Sequence, residues 1–409
     1  MTDNLSRADG ARVLADLHAL RAIGAYKTGV HKPTFSEPHL GSLAWLVQRL
    51  PEAGLAGDID GIGNVLGTST KPGPKLLAGS HLESQNHAGW LDGPLGVVYA
   101  LEAARVINPD PNTNGAVEVA SWCDEEGHFG HFLGSRSYVG GVTDADIDAA
   151  SDRNGKSMRD ALREAGLAGR ARARCERGRH IGYLEAHIEQ GETLESSGLG
   201  IGVVTSIVGI WQYRIAFTGE QNHAGTTRMA IRRDAGLALA RFCVDIDNRF
   251  PAACGPRTVW TTGRITLDPG APSIIPGAAE MLFQIRDDDP AVIARLEDLL
   301  RSMAAEVDKQ GRCSVAVERL RTGAPALMDA SFLEAIEQAS AAFAGGRSLR
   351  MPSGAGHDAQ VLATVMPAGM LFVPSIGGIS HHWTENTADA DIVTGAEVFV
   401  EACRRLLAR

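Results

Sequence analysis

The feature that most constrains this chain is a short apolar run at residues 75–80, separated by a polar loop and a helical pattern from a second run at 116–122. Between them Pro94 opens the helical pattern, which places Val97, Leu101, Ala104 and Ile107 on one side. Proline suits the first turn because the N–H it lacks has no partner there anyway. Strand, loop, helix, strand is a crossover unit, and such units build α/β folds around a parallel sheet. In sheets of that kind ligands gather outside the carboxyl ends of the strands. The same pattern returns late in the chain, with a strand predicted at 370–373 and a glycine-rich loop at 374–380 that ends at His381. An N-terminal helix over 11–23 is predicted from Leu14, Leu17, Leu20 and Ile23.

The middle of the chain changes character. Strands are predicted at 210–218, 258–267, 279–286 and 313–320. A helix over 229–250 would bury Ile231, Leu237, Leu239, Phe242 and Ile246, and another would bury Val292, Leu296, Leu299, Leu300 and Met303. The order β-α-β-β-α-β is that of a ferredoxin-like split unit. A chain of 409 residues exceeds one ordinary core. We therefore expect a discontinuous α/β domain from residues 1–207 and 324–409, with residues 208–323 inserted as a smaller α+β domain.

Composition narrows the partners. With 44% apolar and 22% charged residues the chain reads as a soluble globular protein. A formal net charge of −10 argues against nucleic acid or an anionic membrane as the main partner. Cys123, Cys175, Cys243, Cys254, Cys313 and Cys403 lack paired spacing, which suits thiols in a reducing compartment. The polar N-terminus lacks the apolar core of a signal peptide, and no run reaches the length of a membrane span. A cytoplasmic location is the expectation.

Polar residues follow the apolar strands. His81 follows the first, Asp92 precedes the helix, Glu125 and Glu126 follow the second, His187 sits in Tyr-Leu-Glu-Ala-His-Ile-Glu-Gln-Gly, and His381 ends the late loop. Each has a plain structural reading: a hydrogen-bonded histidine, an Asp capping a helix, an acidic run at a solvated strand end. Their shared location makes the combination hard to explain that way. Imidazoles and carboxylates suit zinc or a similar borderline ion, and a shared carboxylate can hold two such ions.

The sequence also resembles the dinuclear metal amidohydrolases that include N-carbamoyl-L-amino-acid amidohydrolase, β-ureidopropionase and allantoate amidohydrolase, relatives of the zinc peptidases. The resemblance rests on Gly79-Ser-His-Leu-Glu-Ser84, Leu91-Asp-Gly-Pro-Leu-Gly-Val97, Asp124-Glu-Glu-Gly127, His187-Ile-Glu-Gln-Gly191 and Asn222-His-Ala-Gly-Thr-Thr227. Ile275-Pro-Gly277, Ser353-Gly-Ala-Gly-His-Asp-Ala359 and Gly378-Ile-Ser-His381 extend it in order along almost the whole chain. It implies a zinc-peptidase-like catalytic domain with an inserted lid or dimerisation domain. It further implies His81, Asp92 and His187 on one divalent ion and Asp92, Glu126 and His381 on another, with Asp92 bridging. Zinc fits this set, and manganese, cobalt and nickel tolerate it.

By the same resemblance Glu125 is the general base and acid, and His223 reaches the active site of a partner subunit to stabilise the oxyanion, which implies a homodimer. Arg286 holds a substrate carboxylate, and Gln190, Gly354 and Ala355 complete the pocket. His357 and Asp358 hold loop structure rather than metal. The implied reaction is hydrolysis of a linear C–N bond, with an N-carbamoyl or ureido acid as the first substrate class. Another N-acyl, amidino or aromatic amine substrate is the alternative, and a non-catalytic binding homologue a further one.

The sequence departs from the family pattern at several points. Glu83 stands where Asp is usual, the loop after Glu126 is two residues shorter, and Ser273 replaces an Asn. Arg228 and Trp383 each replace a Pro. None removes a metal ligand, and several lie on the substrate side.

Overall fold

In the computed structural model, which describes residues 7–409, the run at 75–80 forms the strand Lys75–His81, and every residue of it is buried. The N-terminal stretch on which the expectation of no signal peptide rests lies, for residues 1–6, outside the described residues. A strand that reads apolar along its whole length belongs inside a parallel sheet covered on both faces. Lys75–His81 accordingly pairs in parallel with Ala116–Trp122 on one side and His180–Ile188 on the other. His180–Ile188 pairs in parallel with Ala368–Val373. Antiparallel strands flank these four, Val65–Gly67 beside Ala116–Trp122 and Ile201–Ile207 beside Ala368–Val373. The crossover helix Pro94–Ile107 packs on the first two strands and against the C-terminal helix Asp389–Leu407.

The described residues divide into two compact units, one of residues 7–205 and 327–409 and one of Ser206–Ala326. The second unit has a four-stranded antiparallel sheet in the order Val259–Asp268, Ala278–Asp287, Gly209–Thr218, Ser314–Gly323. With the helices Ala235–Arg249 and Pro290–Lys309 this is the split β-α-β arrangement of the ferredoxin-like class. Strict alternation along Ala278–Asp287 buries Ala279, Met281, Phe283 and Ile285, which pack with Phe242 and Leu296 in the core of that unit.

One helix differs from its expected span. The pattern over 229–250 breaks into a short 3-10 turn at Met229–Ile231, the helix Ala235–Arg249 and a second turn at Phe250–Ala252. Asp234 takes extended dihedrals, and its side chain accepts from the Leu237 N–H at 2.9 Å, so the helix begins there. Leu239, Phe242 and Ile246 are buried as expected, but Ile231 and Leu237 are 60% and 36% exposed. No helix among the described residues is long and apolar enough to cross a membrane.

Candidate metal centre

The four parallel strands of the first unit deliver their carboxyl ends to one place. His81 closes its strand, His187 is the next-to-last residue of His180–Ile188, and Glu125 and Glu126 follow Ala116–Trp122. His381 lies in the loop after Ala368–Val373, and Asp92 lies just ahead of the crossover helix. The Asp92 carboxylate divides between two groups. Its Oδ1 is 3.5 Å from His81 Nε2 and 3.1 Å from His187 Nε2, whereas its Oδ2 is 3.3 Å from His381 Nε2. Glu126 Oε2 is 3.7 Å from that same His381 nitrogen. His81, Asp92 and His187 each offer a ligand atom within 4.8 Å of the others, as do Asp92, Glu126 and His381.

Local structure sets the orientation of these groups. His81 Nδ1 lies 3.1 Å from the Glu83 carbonyl and His187 Nδ1 3.0 Å from the Ile188 carbonyl. A carbonyl only accepts, so each Nδ1 carries a proton, and Nε2 is the nitrogen turned toward Asp92. Gly93 adopts φ +87°, and a Cβ there would lie 2.5 Å from the His81 ring, so glycine is required behind Asp92. Asp124, Gln190 and His381 all take positive φ of 55–60°. Such conformations in side-chain-bearing residues cluster at functional sites.

Asp124 reads plainly as a solvated strand end, yet it is fully buried. Its carboxylate accepts from the backbone N–H groups of His128, Phe129 and Gly130 at 2.8–2.9 Å and from Thr34 Oγ1 at 2.6 Å. The turn at Asp124 also ends strand alternation, so Glu125 and Glu126 both reach the same cluster of side chains. Glu125 Oε2 is 3.8 Å from His81 Nε2, and the Glu125 N–H donates to Glu83 Oε1 at 2.6 Å.

The electrostatics follow from this crowding. Burial pushes Glu125 well above the usual carboxylate range, with His81 opposing and Glu126, Asp358 and Asp92 adding to the rise. Burial acts the same way on Asp92, but hydrogen bonds from His187, His381 and His81 outweigh it and hold Asp92 well below that range. The hydrogen bond to Asp92 raises His381 to about 9.

Three supporting residues escaped the sequence reading. Glu385, buried beneath Asp92, accepts from the N–H groups of Leu91 and Asp92 at 3.3 and 3.1 Å. Ser380 Oγ lies 3.2 Å from Asp92 Oδ2 and 3.0 Å from Glu385 Oε2. Gln85 donates its amide to Glu126 Oε2 at 3.0 Å. The only signal for Glu385 was its place four residues after His381.

The remaining expected residues fall in different surroundings. Gln190 Nε2 donates to Asp92 Oδ2 at 2.9 Å, which places it against the centre itself. A Cβ added at Gly354 would meet nothing within 4 Å, and Ala355 N donates to Ser353 Oγ. His357 contacts Ser353 Oγ at 3.0 Å, and Asp358 accepts from Ser135 Oγ at 2.5 Å. Trp383 is covered by Lys27, whose Nζ is 3.7 Å from the ring centre.

His223 and Arg286 belong to the second unit. His223 pairs with Ile274 across a short ladder, and its Nδ1 accepts from the N–H groups of Gly225 and Thr226 at 3.0 and 3.1 Å. An Nδ1 that accepts leaves the proton on Nε2, so the exposed edge of the ring is a donor. Arg286 Nε donates to Gln284 Oε1 at 2.7 Å, and burial lowers its pKa.

Comparison with known proteins agrees with this architecture. Residues 70–405 match the family described as Peptidase family M20/M25/M40. N-carbamoyl-L-amino-acid amidohydrolase of Paenarthrobacter aurescens is 33% identical over 98% of this chain and 99% of its own length. Allantoate amidohydrolase of Bacillus subtilis is 30% identical over 92% of this chain and 93% of its own length. The crystal structure of an amidase (hydantoinase/carbamoylase family) from Burkholderia phymatum is 45% identical, with a TM-score of 0.89 over 99% of both chains. This chain belongs to Peptidase family M20/M25/M40.

Proposed function

We propose that this protein is a metal-dependent amidohydrolase that cleaves a linear C–N bond of an N-carbamoyl amino acid or related ureido acid. The observation that carries the reading is the division of Asp92, one oxygen toward His81 and His187 and the other toward His381. The donor set fits two borderline divalent ions: three imidazole Nε2 atoms gathered around Asp92, and two carboxylates. His81, Asp92 and His187 would hold one ion and Asp92, Glu126 and His381 the other, with zinc the first candidate. The chemistry such ions would supply there is a lowered pKa for water and polarisation of the scissile carbonyl.

The chain's own residues supply the rest. Glu125 takes the proton of the attacking water and returns it to the leaving nitrogen. Its raised pKa suits the first of those steps, because a carboxylate whose conjugate acid is too acidic takes a proton up poorly. His223, with its proton on Nε2, donates to the oxyanion in the active site of a partner subunit. Arg286 meets the substrate carboxylate with its planar fork, and Gln190 steadies Asp92.

Residues 7–205 and 327–409 form the catalytic domain in this reading, and Ser206–Ala326 the lid or dimerisation domain. A homodimer is supported by the edge strand Val259–Asp268, where Val259, Ile265 and Leu267 are exposed, and by exposed Val244 on the neighbouring helix. Six free cysteines support a cytoplasmic location. The test is ammonia release from N-carbamoyl amino acids by metal-stripped protein with and without zinc or manganese. Release that depends on metal is the expected result, and none from protein that has rebound two ions would overturn the substrate class.

A further inference from the structure

We infer that a cavity beside Glu126 is a specificity pocket for a planar ring carrying a terminal anion, an inference that rests on the amidohydrolase reading above. The cavity measures about 440 Å³ and lies within the first unit. That volume is in the range of small-molecule sites. Glu126 lines it together with Gln85, whose amide holds the Glu126 carboxylate, so the cavity opens directly beside the candidate centre.

One wall is the loop after Glu126, which the family resemblance expects to be two residues longer. Asp124 gathers the N–H groups of His128, Phe129 and Gly130 and draws this short loop down. The ring of Phe129 is thereby set 5.6 Å from that of Phe35, and both line the cavity with His31 and His128. Aromatic faces at this spacing favour a third ring placed edge-on or offset against them. A longer loop would occupy volume that here stays open.

The opposite wall is the turn at 152–156. The charge of Asp152 is taken up by the N–H groups of Asn154 and Lys156, and Lys156 is paired with Glu164. Arg153 has no ion pair among the described residues. A cavity with aromatic walls and one uncommitted guanidinium selects a flat apolar body with an anion at its far end, because a planar fork binds carboxylate with two bonds.

The test uses the full-length protein with N-carbamoyl-4-carboxyphenylalanine and N-carbamoylphenylalanine. The carboxylated ring should be preferred in kcat/KM by about tenfold, the size of a charge-assisted pair at a partly exposed site. Arg153→Ala should bring that ratio near one. Arg159→Ala, which removes an equal charge bound to Asp148 outside the cavity, should leave the ratio at the wild-type value. Equal rates on the two substrates, or a ratio unchanged by Arg153→Ala, would overturn the assignment.

Calorimetric binding of 4-carboxyphenylalanine, which has no carbamoyl group, separates the pocket from the reaction. About tenfold weaker binding by Arg153→Ala supports the pocket even if no carbamoyl compound is hydrolysed, in which case only the proposed reaction falls. Equal binding by the two proteins would overturn the pocket while leaving the reaction to its own assay.

Discussion

Gly93→Ala is the perturbation that most directly probes how the chain positions its candidate centre. The residue sits at φ +87°, and an added Cβ would meet the His81 ring at 2.5 Å from two of its atoms and 2.7 Å from a third. Carbon atoms pack best at about 3.5–4.0 Å, so the ring must retreat by about 1 Å. Two costs then add: about 1–2 kcal/mol for a side chain at positive φ and about 1–3 kcal/mol for overpacking a buried site. A loss of about 2–5 kcal/mol is expected in urea unfolding of the chelator-treated protein. Gly140→Ala is the internal control, since Gly140 has φ +90° but nothing within 4 Å of the added carbon. It should lose only the backbone part, and the difference between the two variants measures the clash with His81. In metal titrations Gly93→Ala should bind about 10–100-fold more weakly, the usual effect of misplacing a ligand's support. A Gly93→Ala protein no less stable than Gly140→Ala would refute the idea that Gly93 leaves room for His81.

Other perturbations test separate parts of the reasoning. Glu125→Gln should retain its metal content by elemental analysis yet lose about 10²–10⁴ in turnover, and retained turnover would remove Glu125 as the base. Asp124→Asn should cost about 2 kcal/mol and speed hydrogen exchange at residues 128–130, because it weakens three charge-assisted bonds. Phe242→Ala, at 1% exposure in the core of the second unit, should cost that unit about 3–5 kcal/mol in thermal unfolding. Lys32 is buried with its Nζ donating to the Leu20 carbonyl at 2.8 Å, and burial lowers its pKa to about 7. Between about pH 7 and 10 the unfolded chain therefore binds a proton that the folded chain does not, and stability should rise with pH. Lys32→Met should flatten that rise by about 1.4 kcal/mol per pH unit, and parallel wild-type and variant profiles would show that Lys32 is charged when folded.

The sequence made the centre legible where chemistry sits next to a strand. His81, Glu125 and Glu126 stand at the ends of apolar runs that could only be buried strands, and Asp92 precedes a helix that proline announces. The pattern failed where a local competitor decided the geometry. At 229–250 the apolar period ran on through Ile231, but Asp234 bonds the Leu237 N–H and cannot do so from helical dihedrals. The same capacity of Asp to gather backbone donors explains Asp124, which looked like a solvated charge and is the buried hub of a loop. Glu385 was hidden for another reason. Its partners at Leu91 and Asp92 lie 294 and 293 residues away, and its own neighbours His382, Trp383 and Thr384 show no periodicity. Candidate metal ligands are announced by the strands that carry them. Residues that hold those ligands in place are recruited from wherever the fold brings a polar side chain near, and periodicity carries no trace of that. Sequence reasoning from first principles should therefore recover ligands more readily than their supports in any α/β site of this kind.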